Sequence, residues 1–63
     1  MKFNIGDDVL IYPLLAKRGK IIGRIENTKG RNYLVRYFNK NEEDCEIRFF
    51  EDELEKLWDI LSL

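Results

Sequence analysis

The sequence predicts a small all-β domain in which five short antiparallel strands form a barrel. Three observations predict it: apolar and polar residues alternate over short runs, β-branched and aromatic residues fill these runs, and turn residues separate them. The 63 residues are enough for one domain, spanning residues 1–63, with a small core. Cys45 is the only cysteine, so packing rather than a disulfide must hold the fold.

The first half of the chain contains two predicted strands. Residues 9–12 form the first, which the following proline ends because it cannot donate to a strand ladder. Residues 13–18 form a loop, and residues 20–26 form the second strand. Ile21 and Ile25 are predicted to share one face of this strand, and the glycine between them indicates a bend or a close backbone approach.

The second half contains strands at residues 33–38 and 45–50, followed by a turn at residues 51–54. Two alternatives remain for the tail. A closing strand at residues 55–59 is favoured because a curved sheet needs its edge closed. A short C-terminal helix is the alternative, and helical spacing of apolar residues supports it. These residues are Leu54, Leu57, Trp58 and Leu61.

Charge is sorted along the chain, although the formal net charge is only −1. Residues 17–40 carry eight basic residues and one acidic residue, a local net charge of +7. Residues 41–63 carry nine acidic and two basic residues, a local net charge of −7. This asymmetry predicts a binding module with opposite charges on separate flanks. The alternative is that the two halves pair across neighbouring strands and only solubilise the domain.

Residue types that commonly perform catalysis or bind metals are scarce. The chain has no histidine, and its one serine, Ser62, has no base partner. Acidic residues flank Cys45 and disfavour its thiolate form, and the acidic clusters match no calcium-loop spacing. The sequence therefore predicts a non-enzymatic protein with no catalytic residue, no metal and no cofactor.

The composition also predicts where the protein resides. No apolar run is long enough to cross a bilayer, and the first residues lack the features of a signal peptide. A single cysteine is typical of a reducing compartment. We therefore expect a complete, cytoplasmic protein that does not bind membranes.

The basic segment supplies the first candidate binding surface. Its cations are interleaved with aromatic rings, a combination that suits the phosphates and stacked bases of single-stranded nucleic acid. The candidate residues are Tyr12, Lys17, Arg18, Lys20, Arg24, Arg31, Arg36 and Phe38.

The acidic segment supplies the second candidate surface. It could recruit a basic partner, or imitate nucleic-acid phosphates and so inhibit a nucleic-acid enzyme. The candidate residues are Glu42, Glu43, Asp44, Glu51, Asp52 and Glu53.

Three further kinds of binding surface remain as alternatives. A cage of rings could bind a methylated ammonium, and an exposed strand edge could pair with a partner. An apolar patch in the tail could dock a partner or a second copy. The cage residues are Tyr12, Tyr33, Tyr37, Phe38, Phe49 and Phe50, and the tail residues are Trp58, Ile60, Leu61 and Leu63.

Four segments follow one another in an order typical of one group of small barrels. They are Phe3-Asn4-Ile5-Gly6-Asp7 before an apolar strand, then residues 19–26, 33–37 and 49–54. Over residues 3–56 the chain resembles SH3-like barrels of the Tudor, KOW and CarD-type groups. It departs from the KOW pattern at residues 14–18, where Leu-Leu-Ala-Lys-Arg replaces a glycine-rich turn.

The resemblance implies a mostly non-catalytic module. Tudor-like barrels bind methylated side chains or peptides, KOW-type barrels bind RNA or ribosomal and polymerase partners, and CarD-type barrels dock on RNA polymerase. We therefore expect an interaction module that binds a protein partner in transcription or nucleic-acid handling. The alternatives are direct RNA or DNA binding through the basic face of residues 17–36, and inhibition of a nucleic-acid enzyme through the acidic half.

Overall fold

A computed structural model describes residues 2–57, which contain a five-stranded antiparallel sheet. The order of strands across the sheet is β4-β3-β2-β1-β5. Each of the first three strands pairs with the next strand in the sequence as a hairpin, and the fifth strand pairs with the first. The prediction of an all-β fold with five antiparallel strands is confirmed. The strands are β1 (Asp8–Ile11), β2 (Lys17–Asn27), β3 (Gly30–Phe38), β4 (Asp44–Phe50) and β5 (Leu54–Lys56).

The sheet is open, whereas the sequence predicts a closed barrel. Within the described residues, β4 and β5 are the two edges and are not paired with each other. Short 3-10 helices at Tyr12–Leu14 and Glu51–Glu53 connect β1 to β2 and β4 to β5. The predicted turn followed by a strand is confirmed as far as Lys56. β5 begins at Leu54 and does not include Leu57, which the prediction placed in the strand. The remainder of that prediction and of its helical alternative, together with the apolar tail patch, falls on residues 58–63, outside the described residues.

The core lies on the inner face of the sheet. Every strand contributes to it, because alternate residues of a strand point to the same face. Phe3, which precedes β1, packs edge-on against Tyr33 with the two ring centroids 5.1 Å apart. The buried residues are Phe3, Val9, Ile11, Ile21, Tyr33, Val35, Tyr37, Phe49 and Leu54.

A β-bulge divides β2 into two parts. The register between β2 and β3 shifts after Ile21, which leaves Ile22 as an extra residue. Ile21 lies opposite Val35, and Ile25 lies opposite Asn32. Their partners Val35 and Asn32 are three residues apart on β3 and therefore point to opposite faces. Ile21 and Ile25 are thus on opposite faces of the sheet. The prediction that they share a face is wrong, because the inserted residue reverses the alternation.

Candidate docking surface

The loop between β1 and β2 holds an apolar side chain almost fully in solvent. Leu15 is 96% exposed. Both Leu15 and Ala16 have a φ of 59°, in the left-handed region that costs a non-glycine residue about 1–2 kcal/mol. The Leu15 N–H donates to Tyr12 O at 3.0 Å and fixes the turn that leads into this conformation. The loop therefore stores backbone strain while presenting a leucine outward.

Two shallow depressions flank Tyr37 beside this loop. The one next to the loop has a volume of about 340 Å³. The one across the ends of β1, β2 and β3 has a volume of about 270 Å³. We call the two together the Tyr37 surface. Around Tyr37 it comprises Leu14, Leu15, Lys17 and Lys40 on the loop side, and Asp8, Arg18, Lys20, Arg36 and Phe38 on the other.

The Tyr37 surface is basic. Its five cations and one carboxylate give it a formal charge of +4. Lys20 Nζ lies 3.9 Å from Asp8 Oδ1, and Arg36 Nη2 lies 3.4 Å from Glu46 Oε1. These pairs are solvent-exposed, so each contributes little to stability and can be exchanged for another acidic group. Within residues 2–57, three of the cations have no ion pair: Lys17, Arg18 and Lys40.

Lys17 is positioned by the end of β3. Its Nζ donates to Phe38 O at 2.8 Å and lies 5.7 Å from the centroid of the Tyr37 ring. Burial raises the pKa of Tyr37, and the neighbouring Cys45 acts in the same direction, so the phenol stays neutral under Lys17. The adjacent Phe38 side chain points outward and is 62% exposed. Lys17 thus holds its charge beside the enclosed Tyr37 ring, fixed there by the backbone oxygen of Phe38.

The structure brings most of the predicted basic site together, but not all of it. Arg24 and Arg31 are not part of the Tyr37 surface. Arg24 Nη1 donates to Asn4 Oδ1 at 3.2 Å, and Arg31 lies 3.8 Å from both Glu26 and Glu51. The residues that lie on or beside the Tyr37 surface are Tyr12, Lys17, Arg18, Lys20, Arg36 and Phe38. Sequence reasoning missed Leu14, Leu15 and Lys40 as site residues.

The acidic residues do not form one surface. Glu42, Glu43 and Asp44 lie at one end of β4, and Glu51–Glu53 follow its other end. The strand between them spans about 20 Å. Local bonds also engage these residues: Glu43 Oε1 accepts from Asn39 Nδ2 at 3.3 Å, and Glu53 Oε1 accepts from the Phe50 N–H at 2.8 Å. A basic pole is therefore present at the Tyr37 surface, whereas the acidic charge is divided.

Rings proposed for a methylammonium cage are distributed between core and surface. Three of them belong to the buried core: Tyr33, Tyr37 and Phe49. The other three are exposed: Tyr12, Phe38 and Phe50. Since a cage needs several accessible ring faces around one point, this set of six does not provide one.

A third depression, of about 410 Å³, lies at the opposite end of β4 and contains Glu51. Tyr33 Oη donates to Glu51 Oε2 and accepts from the buried Phe3 N–H at 3.3 Å. The hydrogen bond from Tyr33 lowers the pKa of Glu51, and burial opposes this only in part. Burial and the bond to Glu51 raise the pKa of Tyr33. Glu51 therefore stabilises the fold by anchoring the Tyr33 hydroxyl.

This anchor predicts a dependence of stability on pH. The folded-state pKa of Glu51 lies below its ordinary value of 4.5, so its contribution is complete above pH 4.5 and disappears as the pH falls through the folded-state pKa. We expect Glu51→Gln to cost about 1 kcal/mol at neutral pH, because a neutral bond replaces a charge-assisted one. Below pH 4.5 the difference in the free energy of unfolding between the wild type and Glu51→Gln should shrink. Urea denaturation across acidic pH measures this, with Asp52→Asn as control. A constant difference would contradict the assignment.

The described residues have neither a metal-binding cluster nor a membrane-spanning helix. Among residues 2–57, no three cysteine, aspartate or glutamate side chains are grouped so that they could hold a metal ion. No helix in the described part of the chain has the length and apolar character needed to span a membrane. Comparisons with protein-family models, with curated proteins and with solved structures found no match.

Proposed function

We propose that this chain is a non-enzymatic interaction module that docks an acidic segment of a protein partner on the Tyr37 surface. The segment would place an apolar side chain against Leu14 and Leu15 and its carboxylates against the surrounding cations. The observation that carries the proposal is Leu15, which is 96% exposed on a backbone at φ 59°. Strained backbone with an exposed apolar side chain gives no stability in the free chain, and such strain concentrates at functional sites.

Charge on the Tyr37 surface selects the class of partner. Lys17 and Lys40 line the depression beside the apolar loop, and Arg18 lines the other depression of the surface. None of the three has an ion pair within the described residues. An acidic segment would be steered to them over a distance of about 10 Å at moderate salt. Burial of the leucine side chain supplies affinity that does not depend on salt. A partner with mixed acidic and apolar character uses both features.

The proposal includes a finer description of the fold. The open sheet is an SH3-like barrel that has not closed at the β4 and β5 edges. Supporting this, β1 pairs with both β2 and β5, which brings the last strand of the sheet beside the first. From this likeness we propose a setting in transcription or nucleic-acid handling.

The docking proposal is tested by comparing variants in affinity capture from an extract of the source cells. Leu15→Asn removes the apolar side chain but suits a left-handed backbone, so the fold should be retained. Arg18→Glu reverses a cation of the surface. Matched controls are Ile5→Asn, at another exposed apolar residue, and Lys29→Glu, at a cation on the β2–β3 turn.

We expect both Tyr37-surface variants to lose a protein that the wild type and both controls retain. Loss of one buried leucine corresponds to a weakening of about tenfold or more in dissociation constant. The capture should survive nuclease treatment. If all four variants retain the same protein, or if nuclease removes it, docking on this surface is wrong.

Direct binding of single-stranded nucleic acid is a second candidate, supported by Phe38. Its exposed ring shares one depression with Arg18, Lys20 and Arg36, an arrangement suited to stacking a base between phosphate contacts. This candidate predicts that oligonucleotide affinity falls steeply as salt is raised, and that Phe38→Ala weakens it by about 1–3 kcal/mol. A fluorescence-anisotropy titration with no binding at low salt would exclude it.

A further inference from the structure

Strand β4 is the longer of the two edge strands of the sheet. It extends over seven residues, Asp44–Phe50, and pairs with β3 without any shift of register. It contains no proline or lysine, two residues that commonly protect strand edges from pairing with another chain, and its three charged residues are of both signs. The other edge, β5, has only three residues. Within the described residues, β4 is therefore the edge best suited to add a further strand.

The direction of the free backbone groups follows from the β3–β4 turn. The Asn39 N–H donates to Glu43 O at 3.1 Å, so this pair is hydrogen-bonded across the turn. Bonded pairs alternate along an antiparallel ladder, which directs the backbone groups of Glu46 and Arg48 away from β3. In agreement, the Phe50 N–H, which has the same direction, donates to a side chain instead of to β3.

We infer that two copies of this chain associate by antiparallel pairing of their β4 edges about a two-fold axis at Ile47. In this register, Glu46 of each copy lies opposite Arg48 of the other. The free backbone groups of these two residues then form hydrogen-bonded pairs on both sides of the axis. Their side chains, both on the outer face, form an opposite-charge cross-strand pair twice. The edge is complementary to itself in backbone and in charge.

Ile47 gives this register an apolar centre. It lies opposite the buried Val35, so it belongs to the core face of the sheet, and yet it is 44% exposed because β4 is at the edge. On the two-fold axis the two Ile47 residues form a non-hydrogen-bonded pair, because their backbone groups bond to β3 and not to each other. Side chains approach most closely in such pairs, with about 4.5 Å between the Cα atoms. Each isoleucine therefore covers the other.

Charge complementarity favours a second copy over an unrelated strand as the occupant. Arg48 has no ion pair within residues 2–57, and Glu46 has only the exposed pair with Arg36. The two-fold register supplies each of them with a partner. The inference is independent of docking on the Tyr37 surface, because the capture variants leave β4 unchanged.

Sedimentation equilibrium over a concentration series tests the inference. Wild-type protein should approach the dimer mass. Glu46→Arg alone or Arg48→Glu alone should weaken self-association by about tenfold, because each places like charges opposite each other twice. The double substitution should restore it. An equimolar mixture of the two single variants should form a heterodimer, since one edge is then positive and the other negative. Asp52→Arg, at an exposed acid outside β4, is the control.

Two results would overturn the inference. Wild-type protein that stays monomeric at the highest concentration would exclude pairing of two β4 edges. A dimer that none of the β4 substitutions weakens would place the interface elsewhere. Circular dichroism of each variant shows that it is folded before its mass is interpreted.

Disulfide trapping tests the register separately. In a Cys45→Ser background, Ile47→Cys places two thiols on the axis at a Cα separation of about 4.5 Å, which a disulfide can bridge. Glu46→Cys places them about 9 Å apart, beyond that range. Mild oxidation should give a covalent dimer of the first variant and not of the second. Equal yields from both would contradict the two-fold axis at Ile47.

Discussion

Replacing Phe3 with alanine should leave a large fraction of the chain unfolded at room temperature. Truncating a buried phenylalanine costs about 3–5 kcal/mol, and a chain of this length has a total stability of roughly 3–9 kcal/mol. Phe3 is fully buried and packs edge-on against Tyr33. Because it precedes β1, it closes the core with a residue that belongs to no strand.

The measurement is urea denaturation followed by circular dichroism. Ile5→Ala is the matched control, since Ile5 lies two residues away and is 63% exposed. The control should change the free energy of unfolding by less than about 0.5 kcal/mol. A Phe3→Ala chain with the same denaturation midpoint as this control would show that the segment before β1 does not complete the core.

Gly19→Ala should destabilise the fold by about 1–3 kcal/mol, although it adds only one methyl group. A Cβ at this position would lie 2.6 Å from Val35 Cγ1 and 2.8 Å from Ile11 Cδ1, both in fully buried side chains. It would also lie 3.1 Å from the backbone oxygen of Arg36. Core side chains are close-packed, so the methyl group can fit only if β2 moves away from the core.

Gly23→Ala provides the comparison within the same strand. A Cβ there would meet only Leu34, at 3.3 Å from its Cβ, and Leu34 is half-buried. We expect a smaller loss than for Gly19→Ala in thermal or urea denaturation. If the two variants were equally stable, close packing around Gly19 would not be what requires glycine in β2.

Much of the fold follows from the sequence because alternation is a local property of each strand. Tyr33, Val35 and Tyr37 alternate with Leu34, Arg36 and Phe38, which lie outside the core, and all three are buried in the structure. The bulge in β2 does not follow in the same way. Ile21 and Ile22 are equally apolar, so the sequence does not show which of them is the inserted residue. Only the pairing with β3 decides it.

Closure of the sheet was also beyond the sequence. A strand with alternating residues carries no information about whether its outer edge finds a partner. The observed β5 extends only to Lys56 among the described residues, and it pairs with β1 and not with β4. The edge strand that results is the basis of the inferred self-association.

The candidate site was predictable in its charge and not in its shape. Clustered cations at Lys17, Arg18 and Lys20 are visible in the sequence, and the structure places Lys17 in one depression of the Tyr37 surface and Arg18 and Lys20 in the other. The ion pairs of Lys20 and Arg36 depend on strand register, which cannot be read from the number of charged residues in a segment. Leu15 could not be singled out, because its exposure follows from a left-handed backbone that lacks the usual glycine. Two adjacent leucines in a loop were the available signal.

Chemical-shift mapping tests the docking proposal most directly. Isotope-labelled protein is titrated with the unlabelled partner obtained by capture, and amide shifts are followed residue by residue. We predict that the changes concentrate at residues 12–20 and 36–40, which contain the Tyr37 surface, and that Leu15→Asn largely removes them. Changes concentrated around Arg31, Phe50 and Glu51, at the opposite depression, would contradict the proposal.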